Sequence, residues 1–279
     1  MKKYIESFVN YRFLLWELVK KGIKLKYRRS YLGIIWSLLE PLLTMIVLTI
    51  VFGTILGTRT KEFSVYILCG RLLYNFYSTS TKSALTSIRR NAAMIKKVYV
   101  PKYLYTLSSI LYNYIIFLIS LIVLVVVAAV LNVRPTWYLM QAPIALILVL
   151  LLSIGCSFIL ATLGVFFRDM EYLWGVALML IMYMCAIFYQ PEKILDSSFS
   201  WILKFNPLYS IISIFRDAVF GRLMNVHYFL YALGFSVVTM VVGLIMFVKN
   251  RMISSYKYKN GVFYEQRRCY CIKKYRNEI

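Results

Sequence analysis

Few residues in this sequence have the types and spacing that chemistry requires. The single histidine, His227, sits at the edge of an apolar run, where it reads as an interfacial residue rather than a base or ligand. Cys269 and Cys271 form a Cys-x-Cys pair in a basic tail, but no other cysteine and no histidine lies near enough to complete a metal site. No Gly-Lys dipeptide occurs anywhere, so the chain lacks the Gly-Lys-Ser/Thr loop that cradles nucleotide phosphates. No catalytic, cofactor-binding or metal-ligating residue is therefore expected. A membrane-embedded glycosyl or acyl transferase would need convergent His, Asp or Glu groups, and only Asp169 and Glu171 cluster at all. What remains is ionisable groups inside apolar runs: Glu40, Arg71 and Lys82. A carboxylate buried in hydrocarbon costs several kcal/mol unless it is paired or hydrated. Glu40 thus lies either on a water-filled pathway or subunit interface, or it snorkels to the boundary beside Pro41; for Arg71, about two turns from the surface, snorkelling is the favoured account.

These groups belong to elements that only a bilayer accommodates. Mean hydropathy is +0.70, and only 16% of the residues are charged, which excludes a soluble domain and a disordered chain alike. A length of 279 residues holds about six helical spans, each needing roughly 20 residues. The expectation is an all-α integral membrane protein: spans at about 34–56, 65–88, 105–131, 142–166, 172–188 and 228–248, in a single transmembrane domain, 1–279. The second span is the weakest, carrying Arg71, Lys82 and many hydroxyls, and the run LISLIVLVVVAAVL makes the third the surest. Cys69, Cys156 and Cys185 fall within spans and carry no structural role. The first strongly apolar run starts too late for a signal peptide, so the start is expected to be cytoplasmic.

Charge is distributed as a membrane topology requires. The net charge of +22 could indicate nucleic acid, but the cations stand in blocks between apolar runs, which favours positive-inside placement. Segments 1–33, 89–104, 167–171 and 249–279 hold 24 of the 33 lysines and arginines, against 7 on 57–64, 132–141 and 189–227. Both termini are therefore expected inside.

Four segments stand out between the spans. An amphipathic helix is expected over 4–29, with Tyr11, Leu14, Leu15, Leu18, Val19, Ile23 and Leu25 on one face and Lys20, Lys21, Lys24 and Arg28 on the other. This pattern suits a helix lying in the interface, its apolar side in lipid, before a turn at Tyr31-Leu32-Gly33. The segment 89–104 places Arg90, Asn91, Lys96 and Lys97 around an apolar core that includes Ile95, as a segment docking into a cytoplasmic partner would. A tight turn at Phe167-Arg168-Asp169 puts Arg168 and Asp169 at the boundary. In 189–227, Asn206-Pro207 reads as an N-cap with a first-turn proline and Gly221 as a terminator, giving a helix over about 207–220. A shorter helix around Trp201 precedes it, and the two either re-enter the membrane or lie on its outer surface.

Taken in order, the stretches Tyr31-Leu32-Gly33-Ile34-Ile35-Trp36 to Glu40-Pro41-Leu42, Ile95-Lys96-Lys97-Val98-Tyr99-Val100-Pro101, Phe167-Arg168-Asp169, and Asn206-Pro207-Leu208 with Arg216-Asp217 resemble one family. It is the membrane subunit of bacterial type-2 ABC exporters of polysaccharides, which include O-antigen, capsule and wall teichoic acid permeases. The resemblance implies a multi-pass plasma-membrane homodimer bound to two copies of a separate ABC ATPase, which holds ATP and Mg. It implies coupling to that ATPase through Lys20, Lys24, Arg28, Arg90, Asn91, Ile95, Lys96, Lys97, Arg168 and Asp169. An outer rim at Trp201, Asn206, Pro207 and Arg216 follows from it as well. The substrate implied is a lipid-linked glycan, and a path for it is expected along Trp36, Glu40, Tyr74, Tyr77, Tyr183, Phe188 and Tyr189. Tyrosine offers sugars an apolar face and a hydroxyl, although Tyr and Trp also gather at bilayer interfaces. The basic tail 249–279 is longer than the resemblance requires and is available to membrane lipids. The alternatives are a drug or small-lipid exporter of the same superfamily and, further off, the transferase considered above. Nothing in the sequence resembles a channel's filter or ring of charge.

Overall fold

The computed structural model describes residues 11–28, 30–55, 61–97, 100–133, 136–189, 191 and 200–249. The first residues of the expected interface helix, residues 192–199, and the tail beyond Lys249 with its Cys-x-Cys pair lie outside these, as do the side chains of Lys96 and Lys97. All regular elements among the described residues are helices: α1 Arg12–Tyr27, α2 Trp36–Ile55, α3 Lys61–Arg90, α4 Ala92–Lys97, α5 Tyr103–Val130, α6 Ala142–Phe166, α7 Met170–Met184, α8 Ser200–Lys204, α9 Pro207–Val219 and α10 Val226–Lys249. Short 3₁₀ turns, Gly33–Ile35 and Trp137–Gln141, lead into α2 and α6. Gly33 takes a positive φ of 49°, which a side chain would oppose, and so makes the corner between α1 and α2.

Four helical stretches are long and apolar enough to cross a membrane: Gly33–Phe52, Tyr103–Val130, Trp137–Phe166 and Val226–Lys249. The remaining two expected spans depart from that pattern in different ways. α3 is long, at 30 residues, but polar along one side. α7 is apolar but only 15 residues long, and it ends at Met184 rather than Phe188 because Ala186 adopts a φ of 46° and leaves the helical region.

α3 is the central helix, packed against α2, α5, α6, α7 and α9. Its contacts to α5 and α7 include polar ones suited to a medium that offers no water. Ser87 and Thr106 share a hydroxyl hydrogen bond of 3.1 Å, Asn113 donates to Ser83 Oγ at 3.2 Å, and Trp174 Nε1 donates to Thr81 Oγ1 at 3.0 Å. Pro41 lies inside α2 and has no N–H for the carbonyl of Ser37, one turn back. The Ser120 hydroxyl of α5 donates to that carbonyl instead, at 2.8 Å, and pins α2 to α5.

α6 packs most extensively against α10, where two glycines let the backbones touch. A Cβ on Gly155 would stand 2.6 Å from Met240 N, and one on Gly243 would stand 2.5 Å from Gly155 O. We expect Gly155→Val to destabilise the purified protein by about 1–3 kcal/mol, the range for overpacking. Gly234→Val, with nothing within 4 Å of its Cβ, should leave the thermal midpoint in detergent unchanged. Equal midpoints for the two variants would contradict this packing.

Candidate functional site

From Ser64 to Arg90, every position of α3 that is not buried carries a polar or charged side chain: Ser64, Tyr66, Arg71, Asn75, Thr79, Lys82, Ser83, Arg89 and Arg90. The spacing from Arg71 through Asn75, Thr79, Lys82 and Ser83 to Arg90 keeps these residues on one stripe of the helix. At 1.5 Å per residue, Arg71 to Arg90 covers about 28 Å, close to the hydrocarbon thickness of a bilayer. The opposite face is buried, with Leu73, Leu85 and Ile88 among its residues. Tyr66, Arg71, Thr79, Ser83 and Arg89 find partners within the protein, whereas lipid would offer none to Asn75, Lys82 and Arg90, so the stripe suits water or another polar surface better than hydrocarbon.

Two cavities follow the stripe in succession. The first, of about 440 Å³, is lined by Asn75 and Thr79 of α3, Trp36, Ser37 and Glu40 of α2, and Asn113 and Ser120 of α5. Lys26 at the end of α1 also lines it; burial lowers that ammonium's pKa, and the Glu40 carboxylate opposes the shift. The ion pairs among the described residues are Lys20–Glu17 and Arg89–Glu171, so Glu40 is in neither. The second cavity, of about 470 Å³, lies between α3 and α7 and is lined by Lys82, Ser83, Arg90, Glu171 and Trp174.

The expected path residues divide between surface and packing. Trp36 and Glu40 line the first cavity. Tyr183 is exposed, and Tyr189 is half-buried with its hydroxyl donating to Tyr183 O at 2.8 Å. Tyr74, Tyr77 and Phe188 are buried. The Tyr74 hydroxyl donates to Leu178 O at 2.7 Å, Tyr77 leans on Trp174, and Phe188 stacks on Phe52 of α2 at 5.1 Å. They hold α3, α7 and α2 together. Aromatic type alone did not separate these roles; the helical register did, since Tyr74 and Tyr77 lie off the polar stripe.

The two basic segments expected to couple meet in one cluster. Leu15 and Leu18 of α1 pack with Val100, Leu104 and Tyr105, and Met94 and Ile95 of α4 close the group. The apolar face of α1 is therefore partly spent on α5 and α4 rather than on lipid, as the burial of Leu15, Leu18 and Val19 demonstrates, while Phe13 and Trp16 stay exposed. Gly22 permits the approach: a Cβ there would meet the Tyr112 ring at 2.6 Å. Lys20, Lys24, Arg28 and Arg90 are exposed, and Asn91 donates to Ser87 O at the α3–α4 corner. Arg168 and Asp169 stand in the exposed turn before α7. The ion pair at this boundary is made by Arg89 with Glu171, at 2.8 Å, and it ties the end of α3 to the start of α7.

At the opposite end, the turn after α7 is held by side chains from three directions. Asn206 caps α9, its Oδ1 accepting from Leu208 N and Tyr209 N, while its Nδ2 donates to Met184 O at 3.3 Å. Arg216 is buried and forms no ion pair among the described residues. Its Nη2 donates to Ala186 O at 3.1 Å, its Nε to Tyr66 O at 3.3 Å, and its guanidinium stacks 3.4 Å over the Tyr66 ring. The Tyr66 hydroxyl donates to Ala186 O and Tyr189 O. Pro207 opens α9, which runs to Val219 and stops at Gly221 with φ 71°, one residue from the expected limit. Trp201 of α8 is exposed and lines an apolar cavity of about 330 Å³ with Phe205 and Pro207.

Comparison with known proteins bears on the same residues. A family model described as "ABC-2 type transporter" matches residues 14–220, from α1 to the end of α9. The O-antigen export system permease protein RfbA of Klebsiella pneumoniae is 30% identical over 239 residues, covering 85% of this chain and 91% of the relative. A protein of the same name from Myxococcus xanthus is 27% identical over 217 residues, 77% of this chain and 84% of its own. The polysialic acid transport protein KpsM of Escherichia coli is 23% identical over 243 residues, 82% and 90% respectively.

Removing the clamp on the α7 turn has a defined consequence. Arg216→Ala removes the charged donors to the Ala186 and Tyr66 carbonyls, at about 1.5–3 kcal/mol for a hydrogen bond made by a charged group. Arg216→Lys should recover little, since an ammonium lacks the planar fork and the stacking face. Asn206→Ala should cost about 1 kcal/mol as a lost N-cap. Thermal unfolding of the purified variants reads all three, and an Arg216→Lys protein as stable as the parent would contradict the assignment.

Proposed function

Because the chain belongs to the ABC-2 type transporter family, we propose that it is the permease subunit of an ATP-driven exporter that moves a lipid-linked polysaccharide across the bacterial plasma membrane. One observation carries the reading: the uncovered stripe of α3 is polar through the depth of a bilayer and borders two cavities in turn. A polymer of hydroxyl-rich sugars needs such a wall. Trp36, Glu40, Tyr183 and Tyr189 join the stripe along the path, and Tyr74, Tyr77 and Phe188 support it from behind.

In this reading six helices cross the membrane. α2, α5, α6 and α10 do so on length and apolarity, and α3 does so with its polar stripe on water. α7, about 22 Å long at 1.5 Å per residue, crosses only together with its turn, and α8 and α9 re-enter from the outer side to complete the wall around Asn206, Pro207 and Arg216. The bias of Lys and Arg supports a cytoplasmic location for both termini. Two copies of the chain form the conduit. Two copies of a separate ATPase, which holds ATP and Mg, bind the surface made by α1, α4 and the turn at Arg168 and Asp169. The shared cluster of Leu15, Leu18 and Ile95 makes α1 and α4 move as one lever, so that closure of the ATPases pushes at the ends of α3 and α5.

Depletion of this chain should stop surface display of the glycan and leave it at the inner face of the membrane. Substituting Lys24, Lys96 and Lys97 by Glu should reduce the ATPase that copurifies at least tenfold while the chain still inserts in the membrane. Undiminished surface glycan on depletion would overturn the reading, and full ATPase recovery with the charge-reversed chain would remove the coupling surface from it.

A further inference from the structure

The stripe of α3 carries three cations that pair with no carboxylate among the described residues. Arg71 rests on a thioether, 3.3 Å from Met182 Sδ, with its guanidinium 5.9 Å from the Tyr74 ring. Lys82 and Arg90 line the cavity between α3 and α7. The acid of that cavity, Glu171, is bound by Arg89 at 2.8 Å. After Glu62, α3 contains no acidic residue at all. Across the first cavity, Glu40 is the one carboxylate among the described residues that shares a wall with the stripe.

Position makes these charges significant. Lys82 lies eight residues before Arg90, about 12 Å along the helix, and Arg71 lies about 16 Å further on. A charge at such depth is costly unless water or an anion faces it. Neutral side chains such as Asn75 and Thr79 already suffice to hydrate a path for uncharged sugars. Rows of Arg and Lys do something else: they raise the local concentration of anions and are the means by which pores select anions and phosphates. In a pair of identical chains the row is doubled.

We propose, on the exporter reading above, that the path along α3 is anion-selective and that the exported chain carries phosphate or carboxylate groups along its length. Lys82 is the central contact, with Arg90 at the cytoplasmic mouth and Arg71 toward the outer end. Asn75, Thr79 and Ser83 serve the sugar hydroxyls between successive charges.

Charge-selective labelling in membrane vesicles tests this directly. Thr79→Cys and Asn75→Cys are made in a background with Cys269 and Cys271 replaced by serine. Each is reacted with an anionic sulfonatoethyl and a cationic trimethylammonioethyl methanethiosulfonate, and the rates are normalised to free cysteine and corrected for the parent background. The anionic reagent should be favoured about tenfold, the low end for focusing in a charged cleft, and Lys82→Gln should bring the ratio toward one. Val238→Cys, on the exposed apolar side of α10, should react with neither. Brisk reaction with both reagents and a ratio of one or below overturns anion selectivity while leaving the conduit standing. Cysteines at 75 and 79 as inert as the one at 238 overturn the conduit itself.

Discussion

The structure turns on a requirement of backbone chemistry in lipid: a carbonyl released from a helix must find a donor within the protein. α7 stops after 15 residues, and the chain bends through 185–189. The carbonyls of Met184, Ala186 and Tyr189 are met by Asn206 Nδ2, by Arg216 Nη2 with the Tyr66 hydroxyl, and by that hydroxyl again. One broken helix thereby recruits α3 and α9. The same logic operates at Pro41, where the carbonyl of Ser37 is met by Ser120 from α5. Asn206, Arg216, Tyr66 and Ser120 thus act as a set of backbone repairs that join helices.

These repairs give α3 its unusual situation. Packed on most sides by α2, α5, α6, α7 and α9, it has one uncovered stripe left, and that stripe is polar throughout. Its ends are tied in opposite ways: Tyr66 to the turn after α7 through Arg216, and Arg89 to the start of α7 through Glu171. In the proposed exporter, a push delivered through α1 and α4 at the end of α3 would meet a helix braced against α7. That arrangement suits transmission of work from a separate motor to the opening of a path.

Much of this was legible in the residues. Asn206-Pro207 and Gly221 announce both ends of α9 because capping is local chemistry, and α6 falls on the expected limits because its apolar run is bounded by polar residues. The end of α7 was not legible: Cys185-Ala186-Ile187-Phe188 is as apolar as the helix before it, and the break is stabilised by an arginine 30 positions away. The weakness of α3 as a span had the right cause in view, its hydroxyls and cations. The recurrence of Arg71, Asn75, Thr79 and Lys82 at helical spacing was the signal that they share a side. A wheel drawn for α1 finds an apolar face, yet lipid and the side of α5 are alike to such a pattern, and only packing separates them.

The central claim is that a glycan passes along the uncovered side of α3. A photoreactive benzoylphenylalanine at position 79, illuminated in cells actively exporting labelled glycan, tests it most directly. The account predicts a glycan adduct at position 79 that disappears when the partner ATPase is inactivated, and none at position 238 on α10. Adducts absent from position 79, or equally abundant at both positions, would contradict it.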